Sequence, residues 1–318
     1  DSLAGEGFRA VFLALGAHKS RQLGVDGEDA VGVLPVMHFL KAFNLFGEEL
    51  AHGRVGVVGG GNSAIDAARV ALRQKGVECV TIFYRRTREE MPAFKEEIEA
   101  ALAEGTKLVT LVAPTKVQSR DKRLTGVEFI RNELGAKDSS GRPRPVPVAG
   151  TEHTISLDTL IAAISEEPDT ETVARMGIEA SQGRTLRVEE ETLMTNRPGV
   201  FAGGDVITGP YTVVDAIAAG KKAAVMIDRY LRGQEMKQPV TVRTPYVHVE
   251  PVAVSEEERS QTGRVRPPTL PVESCKRSFS EVESTLPDEE AMWEARRCLR
   301  CDLEFTLLKK EEAAGGQI

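Results

Sequence analysis

Apolar positions along this chain follow two alternating periods. Short, mostly apolar runs of strand length occur at Ala10 to Leu15, Val55 to Val58, Cys79 to Tyr84, Lys107 to Val112 and Leu160 to Ile164. Between the middle three, Asn62 to about Lys75 and Ala93 to about Ala103 carry apolar residues at helical spacing. Strands that alternate with helices imply parallel crossovers, so the spacing predicts an α/β fold built on a doubly wound, Rossmann-like sheet.

After Pro114 the period changes to hairpin alternation, with 116–119 and 126–130 flanking the turn-prone Arg120-Asp121-Lys122-Arg123, followed by a loop at Asp138 to Pro143. A strand then runs into Gly203-Gly204-Asp205, and a helix of small residues spans about Val213 to Leu231. Residues 237–271 hold six prolines and little apolar periodicity, the composition of a linker or arm; one amphipathic helix follows at about Asp288 to Arg297. The first strand-like run arrives so soon after Asp1 that we expect an N-terminally truncated fragment of a longer protein.

Composition narrows the partners. A formal charge of -7 argues against a nucleic-acid surface, which needs Lys and Arg in clustered excess. No apolar run approaches the roughly 18 residues of a membrane span, and no signal-peptide pattern opens the chain, so a cytoplasmic location is expected. The four cysteines are too few for a disulfide scaffold.

Chemistry concentrates at Gly59-Gly60-Gly61-Asn62-Ser63-Ala64, between a strand and a helix. That context turns a glycine pattern into a dinucleotide fingerprint. Gly59 permits the tight turn, Gly61 lets the backbone approach a pyrophosphate, and Ala64 lets helix and strand pack. The helix N-terminus offers N–H groups to the phosphates, and Asn62 or Ser63 is expected to cap it. The end of the second strand, where NAD-binding domains place an acid, reads Tyr84-Arg85-Arg86. Guanidiniums at Arg85 and Arg86 suit a 2′-phosphate, so NADP(H) is expected over NAD.

The segments 59–69, 84–93, 203–206 and 216–221 resemble the small (beta) subunit of NADPH-dependent glutamate synthase and its FAD/NAD(P)-binding oxidoreductase relatives, over about residues 1 to 235. The resemblance implies a Rossmann-like NAD(P)-binding domain at 34–164 inserted in a partial FAD-binding domain, of the flavoprotein type with two dinucleotide-binding domains. The FAD-domain remnants would be 1–33 and 165–235, followed by the arm and C-terminal helix at 236–318. It implies that Gly204 and Asp205 reach the flavin and that the helix after Thr212 aims its N-terminus at it. Hydride would pass from NADPH to FAD, and electrons onward through iron–sulfur centres to an electron-accepting partner subunit. The family's N-terminal glycine-rich FAD turn has no counterpart here, so the isolated fragment is expected to be inactive. Ser165 and Glu166 stand where the family usually has Gly and Gln.

Cys298-Leu299-Arg300-Cys301 has the spacing with which two thiolates grip one iron or zinc. Two ligands do not complete a site. On the resemblance, Cys298 and Cys301 would join residues outside this chain in an iron–sulfur cluster. No Cys-x-x-Cys follows the glycine turn, so a dithiol relay of thioredoxin-reductase type is not expected, and no catalytic side chain is assigned. The competing reading is a nucleotide-binding or docking module without turnover of its own.

Overall fold

The computed structural model describes residues 2–138, 141–175, 177–181, 185–237, 253, 255–261, 263–276, 278–296 and 298. The chain divides into two compact units, Asp1–Gln238 and Pro239–Ile318.

The strands of the first unit are β1 (Val11–Leu13), β2 (Lys19–Ser20), β3 (Val33–Pro35), β4 (Gly53–Val58), β5 (Val77–Tyr84), β6 (Lys107–Thr110), β7 (Val112–Arg120), β8 (Arg123–Lys137), β9 (Pro143–Pro147), β10 (His153–Ile155), β11 (Thr159–Ala162), β12 (Glu166–Glu167) and β13 (Val200–Ala202). Its longer helices are α1 (Val36–Phe46), α2 (Asn62–Leu72), α3 (Lys95–Ala103) and α4 (Val213–Leu231).

A five-stranded parallel sheet, in the order β3-β11-β4-β5-β6, forms the centre. Its two faces are read from alternate positions of the same strands. Val55, Val57, Val80, Ile82 and Ile161 face α1, α2 and α3, whereas Val58, Phe83 and Leu160 face a second, antiparallel layer of β7, β8 and β10. Phe83 and Phe129 stack across that interface with centroids 4.3 Å apart. A sheet therefore covers the face on which a doubly wound domain ordinarily carries more helices.

The expected strand at 107–112 is broken at Leu111, whose φ of 58° ends β6 and starts β7 in a new direction. The hairpin strands run further than expected, and Asp121 and Lys122 close them at φ 51° and 61°, the pairing of signs that a two-residue turn needs. Strand β9 and helix α1 had no counterpart in the sequence reading. Glu104 is buried between Arg69 and Arg73, which donate to it at 2.8 Å each, so that α2 is tied to the end of α3.

At the amino end of the sheet, where β4 and β11 begin, Arg54 Nε and Nη2 donate to Asp158 at 2.8 and 3.1 Å, and the Arg54 backbone N–H at 2.9 Å. The Arg54 side chain, then its backbone N–H, hold the Asp158 carboxyl at a pKa of about 2, below its ordinary 3.8. A carboxyl whose folded value is depressed stabilises above its unfolded pKa and loses that contribution as pH falls through the folded one. Both side chains are partly exposed, 43% and 36%, so solvent screens the pair and the gain is small. We expect Asp158→Asn to lower the denaturation midpoint at pH 7. The gap to the parent should close between about pH 4 and pH 2 in urea titrations.

Strand β1 pairs in parallel with β13, and the two-residue β2 pairs antiparallel with β12. The segments that leave and re-enter the central sheet, residues 14–32 and 163–169, thus run side by side at Lys19–Ser20 and Glu166–Glu167. In the second unit, short helices at Glu256–Gln261 and Val272–Cys275 interrupt the expected arm, and a helix at Asp288–Arg296 follows. Thr269 bridges Glu283, and Arg296 lies over the Trp293 ring.

Candidate functional site

The carboxyl end of the parallel sheet is where an open α/β layer leaves a crevice, at the strand from which neighbours depart in opposite directions. Here that strand is β4, flanked by β5 on one side and β11 on the other. The glycine turn leaves β4 at this point, and its three glycines divide between two roles. A Cβ on Gly59 would lie 2.0 Å from the Ala163 carbonyl oxygen, and one on Gly60 2.5 Å from the Tyr84 ring. A Cβ on Gly61 would meet nothing within 4 Å. Gly59 and Gly60 thus serve close packing, and only Gly61 keeps open space in front of the backbone.

Helix α2 begins differently from expectation. Gly61 is its N-cap and no side chain caps it. Asn62 is the first helical residue, and its Oδ1 accepts the Phe94 N–H at 3.0 Å instead. Ala93 N–H donates to Gly60 O at 3.1 Å, so residues 93 and 94 form a wall beside the turn. Among the described residues no acceptor is present for the backbone N–H groups of Asn62 and Ser63. Two donors and the positive end of an 11-residue helix therefore face the space in front of Gly61.

The arginines at the tip of β5 separate. Arg86 is 3% exposed; its Nε donates to Pro143 O at 2.6 Å and its Nη2 to Asp138 at 2.5 Å. The expectation that both guanidiniums face a ligand does not match this geometry, because Arg86 is already engaged by the loop at 138–143. Arg85 is exposed and makes no ion pair among the described residues. Desolvation and the like charges of Arg86 and Arg142 push its pKa down, opposed by Tyr84 and Asp138.

A second cleft, of about 220 Å³, opens between β1, the end of β13 and α4. Gly203, Gly204, Asp205 and Thr212 line it. Gly204 has φ 75°, and Gly203 packs so closely that its Cβ would meet the Phe12 ring at 2.9 Å. Thr212 caps α4 by accepting the Asp215 N–H at 3.3 Å, while Asp205 Oδ1 accepts the Tyr211 N–H at 3.3 Å. Tyr211, Val213 and Val214 are 70%, 75% and 75% exposed at this rim, an apolar face that none of the described residues covers.

Ser165 has φ 145°, a backbone region that glycine enters readily and other residues avoid, at the position where the resembling family carries glycine. Cys298 is exposed, and Cys301 lies outside the described residues. Cys79 is half-buried in β5 and Cys275 buried in its short helix. Among the described residues no group of three or more His, Cys, Asp or Glu side chains converges on a metal position, and no helix is long and apolar enough to cross a membrane.

A parallel sheet with a glycine turn at its switch point is thus joined by paired crossovers to a second glycine-lined cleft, an arrangement of the dinucleotide-binding α/β class. The chain belongs to the pyridine nucleotide-disulphide oxidoreductase family, whose model matches residues 5–220. Among relatives, it is 41% identical over 302 residues to the NADP(+)-dependent formate dehydrogenase subunit beta of Moorella thermoacetica, covering 92% of this chain and 42% of the relative. It is 38% identical to the NADPH-Fe(3+) oxidoreductase subunit beta of Geobacter sulfurreducens, over 92% of this chain and 48% of the relative. With the glutamate synthase [NADPH] small chain of Escherichia coli it shares 37% identity over 70% of this chain and 51% of the relative. The chain spans about half the length of the curated relatives it matches. In fold it is similar to Mycobacterium tuberculosis FprA in complex with NADPH, with a TM-score of 0.58 at 19% identity over 74% of this chain and 68% of that one.

Proposed function

We propose that this chain binds NADPH at the glycine turn and belongs to a flavoprotein that passes hydride from NADPH to FAD and electrons to iron–sulfur centres on a partner subunit. One observation carries the reading: an open, donor-lined space at Gly61 stands one strand away from an unpaired guanidinium at Arg85. The backbone of Gly59, Gly60 and Gly61 and the N–H groups of Asn62 and Ser63 would hold the pyrophosphate, and Arg85 the 2′-phosphate. Since β5 lies on one side of β4 and β11 on the other, the adenosine half belongs on the β5 side and the nicotinamide half on the β11 side, towards Ser165.

Residues 34–164 would form the NAD(P) domain, 1–33 and 165–235 the flavin lobe, and 236–318 an arm. In the flavin lobe the apolar rim of Tyr211, Val213 and Val214 fits a flat aromatic ring system, and the cleft behind it fits the ribityl chain. Asp205 accepts hydroxyl hydrogen bonds there, Gly204 gives close approach, and the α4 N-terminus after Thr212 offers the Val213 and Val214 N–H groups. When bound, NADPH supplies a hydride and FAD accepts it, releasing single electrons onward. Cys298 and Cys301 would supply two of the four thiolates of a cluster. The names of the relatives, two of them subunits beta and one a small chain, support a partner subunit, and a cytoplasmic setting accords with NADPH as donor.

Arg85→Ala is expected to weaken NADPH binding by about tenfold to hundredfold, the value of one hydrogen bond to charge, and to leave NADH binding unchanged. Calorimetric titration of both nucleotides reads this directly, and equal losses would remove Arg85 from the site. Anaerobic addition of NADPH to a flavin-loaded form of the protein that includes the family's glycine-rich FAD turn tests turnover, with loss of oxidised-flavin absorbance as the expected result.

A further inference from the structure

Phe94 occupies a position that suits an aromatic side chain poorly on two counts. It is the N-cap of α3, and it is 65% exposed. We propose that its ring covers NADPH over the pyrophosphate and the ribose next to it, shutting water out of the contacts at the glycine turn; the inference rests on the preceding reading of that turn.

The segment that carries Phe94 is pinned along its length. Tyr84 Oη donates to Glu90 O at 2.8 Å, and Thr87 N–H donates to the Glu90 carboxylate at 3.0 Å, so the chain bends back compactly after β5. Met91 and Ala93 are buried, and the N–H groups of Ala93 and Phe94 donate to Gly60 O and Asn62 Oδ1 at 3.1 and 3.0 Å. Phe94 is thereby fixed against the residues on both sides of Gly61. Its side chain is turned outward while that of Ala93 beside it is turned in.

A single exposed apolar side chain is ordinary on a protein surface. An N-cap is not an ordinary place for one. The free N–H groups of a helix start favour Ser, Thr, Asp or Asn, and phenylalanine gives α3 no side-chain cap bond. Residue 94 thus gives up helix stability and exposes a large ring at the same position, and a ligand that covers the ring offsets both. The neighbouring space decides which part of the ligand that is. Gly60 and Asn62, which hold the segment, flank Gly61, in front of which the pyrophosphate belongs, whereas the adenosine end lies towards Arg85. A Cβ on Gly61 would meet nothing within 4 Å, so the ring stands at the margin of that space and leaves the phosphate position itself free. Hydrogen bonds to charge strengthen as water is excluded and the local dielectric falls. An apolar ring at the margin excludes water without competing for a donor.

Phe94→Ser separates binding from stability, because the two should move in opposite directions. Serine can cap α3, so the full chain should melt about 1 to 3 °C higher than the parent. In calorimetric titration it should bind NADPH about fivefold to thirtyfold more weakly. Phe94→Leu keeps an apolar cover and should retain most of the parental affinity. Two fragments locate the ring. The 2′-phosphate of ADP-ribose has the pyrophosphate and both riboses without the nicotinamide, and adenosine 2′,5′-bisphosphate lacks the second half of the pyrophosphate and its ribose. Phe94→Ser should weaken the first as much as NADPH and the second by about threefold or less. Unchanged affinity for NADPH would overturn the inference. So would a loss confined to NADPH, which puts the ring on the nicotinamide, or an equal loss for the bisphosphate, which puts it on the adenine. A melting temperature that falls in step with affinity would also overturn it, since Phe94 would then only pack the segment. A parent chain that binds none of the three ligands would instead remove the reading of the turn, a failure seen before any variant is made.

Discussion

Gly61→Val is expected to abolish binding of NADPH and NADH alike while the chain keeps its fold. Gly61 sits at φ -88° and ψ 176°, extended backbone that a valine adopts without strain, and its Cβ would enter open space. As the N-cap of α2 it contributes no side-chain bond that valine would remove; valine is a poorer cap than glycine by about 1 kcal/mol or less. The space that the branched side chain fills is the space a pyrophosphate needs in order to reach the Asn62 and Ser63 N–H groups. Losing two or more hydrogen bonds to charge, each worth about 1.5 to 3 kcal/mol, lowers affinity at least about hundredfold. Calorimetric titration and a melting curve are needed together. A variant that melts like the parent and binds NADPH with parental affinity would show that phosphates bind elsewhere.

The parts of this fold that can be read from sequence are those whose causes are local. Strand β4, the glycine turn and helix α2 follow from an apolar run, a glycine triplet and helical spacing that act within about 20 residues of each other. Helix α1 was missed although Val36, Phe39 and Ala42 are buried at helical spacing and Gly47 ends it at φ 68°. Only three of its eleven residues are fully buried, so the periodicity is thin until β3 and β11 are seen to flank it. The fate of Arg86 was not legible at all, because it depends on Asp138, which approaches only after β7 and β8 have folded back over the sheet. Arg85 and Arg86 look equivalent as neighbours in sequence. They differ because successive residues leaving a strand point to opposite sides, one to solvent and one to the covering layer. The glycine in the family pattern at Ser165, by contrast, was a usable signal: a departure from glycine at a position with φ 145° marks a strained link just beyond the end of β11.

Gly59→Ala should have the opposite outcome to the change at Gly61, a large loss of stability from a single methyl group. Gly59 has φ 154°, which disfavours any side chain, and its N–H donates to Phe83 O at 3.0 Å, which fixes the turn against β5. On the other side, Ala163 N–H donates to Val58 O at 2.8 Å, and this bond brings the Ala163 carbonyl over Gly59. An added Cβ would lie 2.0 Å from that oxygen and 2.8 Å from its carbon. Both are backbone atoms of the continuation of β11, so no rotamer change relieves the contact. Relief requires β4 and β11 to part at their carboxyl ends, where Val58 pairs with Ala162, and that would break the central sheet at its switch point. Overpacking of this kind together with the backbone strain costs about 3 to 5 kcal/mol, a large share of an ordinary domain's stability. Urea titration should show the midpoint falling sharply for Gly59→Ala and little for Gly61→Val. A Gly59→Ala chain within about 1 kcal/mol of the parent would mean that the close approach of β4 and β11 is not a fixed feature of the fold.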